Sequence, residues 1–398
     1  MRIDRVGKIG KTLFVVGLIA ALAGVYDVAS FAQQTEQKEP VPSPGDQPDD
    51  PGPIANDVSP ALHARQIRAA MRKVADWQLQ VVKVQPPSRD WDYGTLYIGL
   101  MAASRTLHDP RYSQYVASVG EHYNWELTPL RPYAPGNDYA IAQAFLELYR
   151  SSHKAEMIAP LRKRFDDSLL VPDDPARPVW WWCDALFMQP AAGTMLSQVT
   201  GDSRYTQYIE REWAITEKLL YDPQKHLFSR DATYLDKHEE NGEKVFWSRG
   251  NGWVMGGIVR VLATLPADDP MRAHYIDLLR QMAEEVASIQ GRDGLWRPGL
   301  LDAESYPLPE ISGSAFFTYA IAWGINHHLL DAKVYQPVVD RAWRGMLAHI
   351  YQDGRLGCIQ PIGAAPGEYK ASSSYVFGVG AFLLAGSEMD VLHHRRFW

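Results

Sequence analysis

The stretch SAFFTYAIAWGI, residues 314–325, has no charged residue and no polar face; small and aromatic side chains point in every direction around a helical turn. A helix of that kind cannot border water and must be buried all round. Four other stretches are similarly rich in small and aromatic residues with few charges: Tyr93 to Ala103, Asp138 to Tyr149, Gly252 to Leu262 and Val376 to Ala385. Segments of another kind lie outside them, with a single apolar stripe at helical spacing. Leu62, Ile67, Met71, Val74 and Leu79 form one such stripe, and Ile276, Leu279, Met282, Val286 and Ile289 another. Strand-like alternation is scarce.

The starts of the buried helices fall near Asp92, Asp138, Asp184, Asn251, Gly313 and Val376, at spacings of 46, 46, 67, 62 and 63 residues. Each interval has room for one amphipathic outer helix, and periods of this size indicate stacked helical hairpins. An internal echo supports the repeat: DPRYSQYV at 109–116 returns as DSRYTQYI at 202–209. An open α-solenoid would leave its concave helices wet and more charged than these. The expectation is therefore a closed double ring, an (α/α)6 barrel.

The 398 residues include 45 aromatics, counting 13 Trp, 20 Tyr and 12 Phe, and only two Cys, which excludes a disulfide-stapled scaffold or a Cys-rich zinc module. A formal net charge of −7 lacks the basic face of a nucleic-acid binder, so no nucleic-acid partner is expected. Arg2, Arg5, Lys8 and Lys11 precede an apolar run from Thr12 to Val25 and the small-residue pair Ser30 and Ala32. This reads as a signal peptide over 1–32, cleaved to leave an exported, most simply periplasmic, chain; the alternative is an uncleaved anchor. The apolar run is short for a membrane span, and none is expected in the mature form. Removing residues 1–32 takes away four basic and two acidic side chains and leaves −9. Six prolines between Pro40 and Pro53 make 33–57 read as a flexible linker, with a single domain over 58–398. Cys183 and Cys358 can pair after export or remain buried thiols. Oligomeric state is not legible.

In a closed ring the loops entering the inner helices meet around one mouth. Asp92 with Tyr93, Asn137 with Asp138, Trp180-Trp181-Trp182 with Asp184, and Trp247 with Arg249 and Trp253 all stand at such starts. Asp and Asn are favoured N-caps, so each carboxylate taken alone has a plain explanation. Three at matching starts, each beside aromatics, point to a site. Flat aromatic faces suit the apolar faces of sugars, and carboxylates bind hydroxyls and move protons. Arg249 would offset the acidic mouth for an acidic sugar. No phosphate loop, metal-ligand spacing or nucleophile elbow occurs, leaving acid/base chemistry with no cofactor and no metal. His327-His328 and His393-His394 are adjacent pairs whose side chains diverge, and read as surface or core residues.

The blocks WWCDALFM (181–188), FWSRGNGW (246–253), EISGSA (310–315) and GVGAF (378–382), spread in order over residues 60–390, resemble family 105 glycoside hydrolases, the unsaturated rhamnogalacturonyl and related unsaturated glucuronyl hydrolases. The resemblance implies an (α/α)6 barrel that removes a 4,5-unsaturated uronic acid from the non-reducing end of lyase-generated oligosaccharides by hydrating the enol ether. It implies Asp184 as general acid/base and Asp138 as the second carboxylate. It places Asp92, Tyr93, Trp247 and Arg249 against substrate; Asn137, Trp182 and Trp253 join them as candidate substrate contacts. Ser229-Arg230-Asp231-Ala232 departs from the His-Gly-Trp-Asp-like stretch of rhamnogalacturonan-type members, and Arg230 would either read a carboxylate or sulfate or form a surface salt bridge. Two other readings stand beside this one: an inverting glycosidase using Asp138 and Asp184, whose carboxyls would lie about 6.5–9.5 Å apart, and a non-catalytic exported glycan-binding barrel.

Overall fold

The computed structural model describes residues 43–131, 135–171, 174 and 178–394. Twelve helical positions make two concentric rings. The outer ring is α1 (Ala64–Lys83), α3 (Pro110–His122), α5 (Ala159–Ser168), α8 (Arg204–Leu220), α10 (Arg272–Ser288) and α12 (Ala332–Leu347). The inner ring is α2 (Trp91–Thr106), α4 (Ala140–Ser152), α6 with α7 (Ala185–Met188 and Pro190–Thr200), α9 (Ser248–Leu262), α11 (Ile311–Asn326) and α13 (Val376–His394). Every inner helix packs on the next, and α13 closes on α2, so the barrel is an (α/α)6 ring rather than an open solenoid. All sixteen residues of α11 are buried, as its composition requires. Among the described residues α13 alone is long and apolar enough to cross a membrane, and it lies in this inner ring. The third inner helix is broken because Pro190 supplies no backbone N–H, a division the spacing did not foretell.

Neighbouring inner helices run in the same sense. A Cβ at Gly313, in the first turn of α11, would meet Ser248 Oγ at the start of α9, and one at Gly136 would meet Ala185 at the start of α6. Five inner helices send aromatics to the axis below these starts: Trp91, Phe187, Trp253, Phe316 and Phe377 pack edge to face or offset. The far end is polar. Arg260 donates to Gln143 Oε1 (2.5 Å) and Glu147 Oε1 (3.0 Å), placing a cation among helix C-termini.

The sequence echo has a structural meaning. Asp109 and Asp202 each accept the backbone N–H two residues on, at 3.1 Å, and grip that residue's guanidinium. The following tyrosine, Tyr112 or Tyr205, then donates 2.8 Å to an aspartate of the preceding outer helix, Asp76 or Asp166. The repeat is thus a device for locking one outer helix to the next.

One expectation is corrected. Residues 43–57 are not a free linker: Gly45–Asp46 pairs antiparallel with Ser374–Tyr375, Ile54 bridges to Tyr351, and Lys73 reaches Asp57 at 3.0 Å. A proline-rich segment cannot build a core of its own, but it can lie extended on one already formed. The proposed signal peptide, 1–32, and residues 33–42 lie outside the described residues. Cys183 and Cys358 are both buried free thiols.

The α2–α13 crossing is tight enough to test. A Cβ on Gly380 would lie 2.4 Å from the Thr95 carbonyl oxygen, a backbone atom that cannot step aside. Gly380→Ala is expected to cost about 1–3 kcal/mol, read as a lowered midpoint in denaturant unfolding; an unchanged midpoint would show that the crossing relaxes freely.

Candidate active site

Capping does not account for the three aspartates. The α2 N-cap position is Asp90, the turn Asn137–Tyr139 follows Gly136, and Asp184 precedes α6 without a capping bond. By contrast Asp109, Asp331 and Glu310 do accept N–H groups at the starts of their helices.

Asp184 is half-buried, at the end of a short pairing between Trp182–Cys183 and Arg230–Asp231; Cys183 N–H donates to the Arg230 carbonyl at 2.8 Å. Burial pushes its carboxyl above the ordinary range. The positive charges of Arg230 and Arg249 and the Cys183 thiol, 3.4 Å from Oδ1, pull the other way. The result is a carboxyl that holds its proton more tightly than a free aspartate.

Asp138 is fully buried and gripped on both oxygens. Arg131 donates from its backbone N–H (2.6 Å) to Oδ2 and from Nε (2.6 Å) to Oδ1, and its Nη2 also reaches Asp90 at 2.8 Å. Burial raises the Asp138 carboxyl to about 6 against the pull of Arg131. Gly136 against Ala185 brings this turn beside Asp184. Asn137 is half-buried, and its Oδ1 has no hydrogen-bond partner among the described residues. Asp92 is buried and pushed to about 7, by burial first and by the charge of Asp90 second; its Oδ1 accepts the Tyr93 N–H at 2.9 Å.

Arg249 has 1% of its surface exposed. Its guanidinium lies between the rings of Trp247 (4.4 Å) and Phe377 (4.8 Å) and donates to the carbonyls of Gln360 (2.6 Å) and Pro361 (2.7 Å). Glu310 stands 3.9 Å away and accepts the Gln360 N–H at 3.1 Å, while Trp247 Nε1 donates to Gln360 Oε1 at 2.8 Å. Gln360 therefore joins Trp247, Arg249 and Glu310. Sequence reasoning missed it, because an isolated glutamine in a loop has no periodic or motif signal.

Several of the expected contacts lie below the surface. Tyr93 is buried, with its hydroxyl donated to the Ser43 carbonyl (2.8 Å), so it serves the N-terminal segment rather than the mouth. Trp253 has no exposed surface and belongs to the axial aromatic plug. Trp182 and Trp247 are buried as well; of the three consecutive tryptophans it is Trp181 that emerges, 36% exposed, with the Arg230 guanidinium 5.1 Å from its ring centroid. Arg230 is half-buried and ion-paired with Asp231, and its Nε has no hydrogen-bond partner among the described residues. Among the described residues no group of His, Cys, Asp and Glu has the arrangement of a metal site.

The model of Glycosyl Hydrolase Family 88 matches residues 65–392. A relative in Formosa agariphila named unsaturated 3S-rhamnoglycuronyl hydrolase is 35% identical over 82% of this chain and 91% of its own. Two solved structures are also similar. One, named Polysaccharide Lyase BACCELL_00875, has a TM-score of 0.79 and 32% identity over 84% of this chain and 99% of that one. The other, a glycosyl hydrolase family 88 protein from Bacteroides vulgatus, has a TM-score of 0.77 and 30% identity over 82% and 99%.

The buried carboxyls give a stability signature. Asp92 binds its proton more tightly folded than unfolded, so its contribution falls as pH rises from about 4 to 7 and is fully unfavourable above that. Asp92→Asn is expected to stabilise the protein at pH 8 by on the order of a few kcal/mol and to leave stability at pH 4 nearly unchanged. Denaturant unfolding at the two values checks this, and equal effects at both would refute the assignment.

Proposed function

The chain belongs to Glycosyl Hydrolase Family 88 and is a hydrolase of glycosidic bonds, and from that premise we propose that it removes a 4,5-unsaturated uronic acid from the non-reducing end of an oligosaccharide, with Asp184 as general acid and base. The observation that carries the assignment is the state of Asp184: uncapped, half-buried, and raised by burial beside two arginines. A carboxyl that holds its proton more tightly than a free aspartate is suited to act as a general acid.

Asp184 protonates C4 of the enol ether, and positive charge develops at C5 and the ring oxygen. The carboxylate then takes a proton from the water that adds to C5. The hemiketal so formed opens by breaking its C5 to ring-oxygen bond, leaving a ketone at C5 and a hemiacetal at C1, which releases the neighbouring sugar. The glycosidic oxygen itself needs no protonation in the first step. Asp138, held by Arg131, lies beside this carboxyl as a hydroxyl acceptor and a second negative charge. Arg249 acts as a fixed positive charge under the mouth, opposing repulsion between the aspartates and the uronate carboxylate; in a dry setting such a charge keeps its strength.

Trp181 and Arg230 would contact the sugar next to the cleaved unit. The name of the Formosa relative points to a rhamnose at that place, and the open Nε of Arg230 suits an anionic substituent, carboxylate or sulfate. Export to the periplasm through residues 1–32 belongs to the same reading, since oligosaccharides left by secreted lyases would be met there.

Absorbance of the enol ether tests the proposal. Incubation with unsaturated uronyl disaccharides is expected to consume the band and release the neighbouring sugar. The similarity to a structure named as a lyase makes the sign decisive, because a lyase acting on a saturated uronide would create the band. Asp184→Asn is expected to lower kcat by roughly 10²–10⁴-fold with a small change in KM; full turnover in that variant would overturn the assignment.

A further inference from the structure

Residues 43–57 do more than cover surface. The Pro44 carbonyl accepts the N–H of Val376, the first residue of α13, at 2.8 Å, and the Pro48 carbonyl accepts Ser372 Oγ at 2.6 Å. Asp46 is ion-paired with Arg355, whose guanidinium also reaches the Ser372 carbonyl at 3.3 Å. The backbone held in this way is the one that pairs with the segment beneath Arg249. Cys358 N–H donates to the Ala371 carbonyl (2.8 Å) and Ile359 N–H to the Ser373 carbonyl (2.9 Å). The next two residues, Gln360 and Pro361, supply the carbonyls that hold the guanidinium. Phe377, against which Arg249 also lies, follows directly on the residue bonded to Pro44.

Three backbone segments thus link in series to Arg249: the N-terminal strap, residues 371–376, and residues 358–361. A buried guanidinium fixed by two backbone carbonyls goes where those carbonyls go. We propose that the strap 43–57 is a positioning element of the active site, setting Arg249 for the uronate carboxylate through residues 371–376 and 358–361. This rests on the proposed role of Arg249 as the cation for that carboxylate.

Two variants of the full-length chain test it. Gly45→Val cannot seat the strand, because a Cβ at Gly45 would lie 2.1 Å from the Ser374 carbonyl oxygen. Asp46→Ala removes only an exposed carboxylate from Arg355 and leaves the barrel core untouched. Both are expected to raise KM for an unsaturated uronyl disaccharide, Gly45→Val by roughly five- to twenty-fold and Asp46→Ala less, with kcat within about threefold of the parent. The alkaline limb of kcat/KM should move to higher pH, since Asp184 would lose part of the influence of Arg249. A lowered thermal midpoint with KM and the limb unmoved would overturn the inference while leaving the proposed function standing. Should Gly45→Val fail to fold, an Asp46→Ala protein with parental KM and pH profile would overturn it equally. A parent chain inactive on every unsaturated uronide would overturn the proposed function and this inference with it.

Discussion

Burial of helices that have no polar face is the constraint on which the architecture depends. An amphipathic helix is satisfied by one packed side, but α11 and α13 need neighbours all round, and a ring closed upon itself within a second ring supplies them. Closure then has a consequence for chemistry. Because neighbouring inner helices run in the same sense, their starts converge, and polar residues that precede each apolar run are gathered at one end. The mouth is assembled by hydrophobic burial before any functional group acts in it.

Charge at that mouth is managed by unequal burial. Asp138 and Asp92 lie in dry surroundings and are raised to about 6 and about 7, the first tightly held by Arg131 and the second touched by one N–H. Asp184, a half-buried residue, feels both Arg230 and Arg249. Such an arrangement costs stability at neutral pH, since ionised carboxylates are poorly accommodated in low-dielectric surroundings. The same cost keeps a proton available where an enol ether would take it up.

Arg249 shows how a catalytic domain holds a cation away from water. Two aromatic faces cover it and two carbonyls of a loop accept its protons, so its position depends on Gln360 and Pro361, far from it in sequence. The echo at Asp109 and Asp202 does the corresponding mechanical work outside, tying each outer helix to the one before. Both are long-range bonds made by residues that look ordinary in isolation.

What the sequence determined by itself was the ring, the six helix starts and the three carboxylates at them, because apolar periodicity and spacing are local properties of the chain. The family blocks likewise singled out Asp184 and Arg249 by their neighbours. Only the tertiary structure decided which aromatic meets solvent. Trp181 emerges while Trp182 does not, for successive side chains of an extended segment point to opposite sides, and Trp247 and Trp253 are covered by distant parts of the chain. It also decided that Tyr93 serves the N-terminal strap, that Gln360 joins the residues around Arg249, and that residues 43–57 are ordered. Composition measures what a segment can bury on its own, and a proline-rich strand is held by backbone acceptors and donors that a distant part of the chain presents to it.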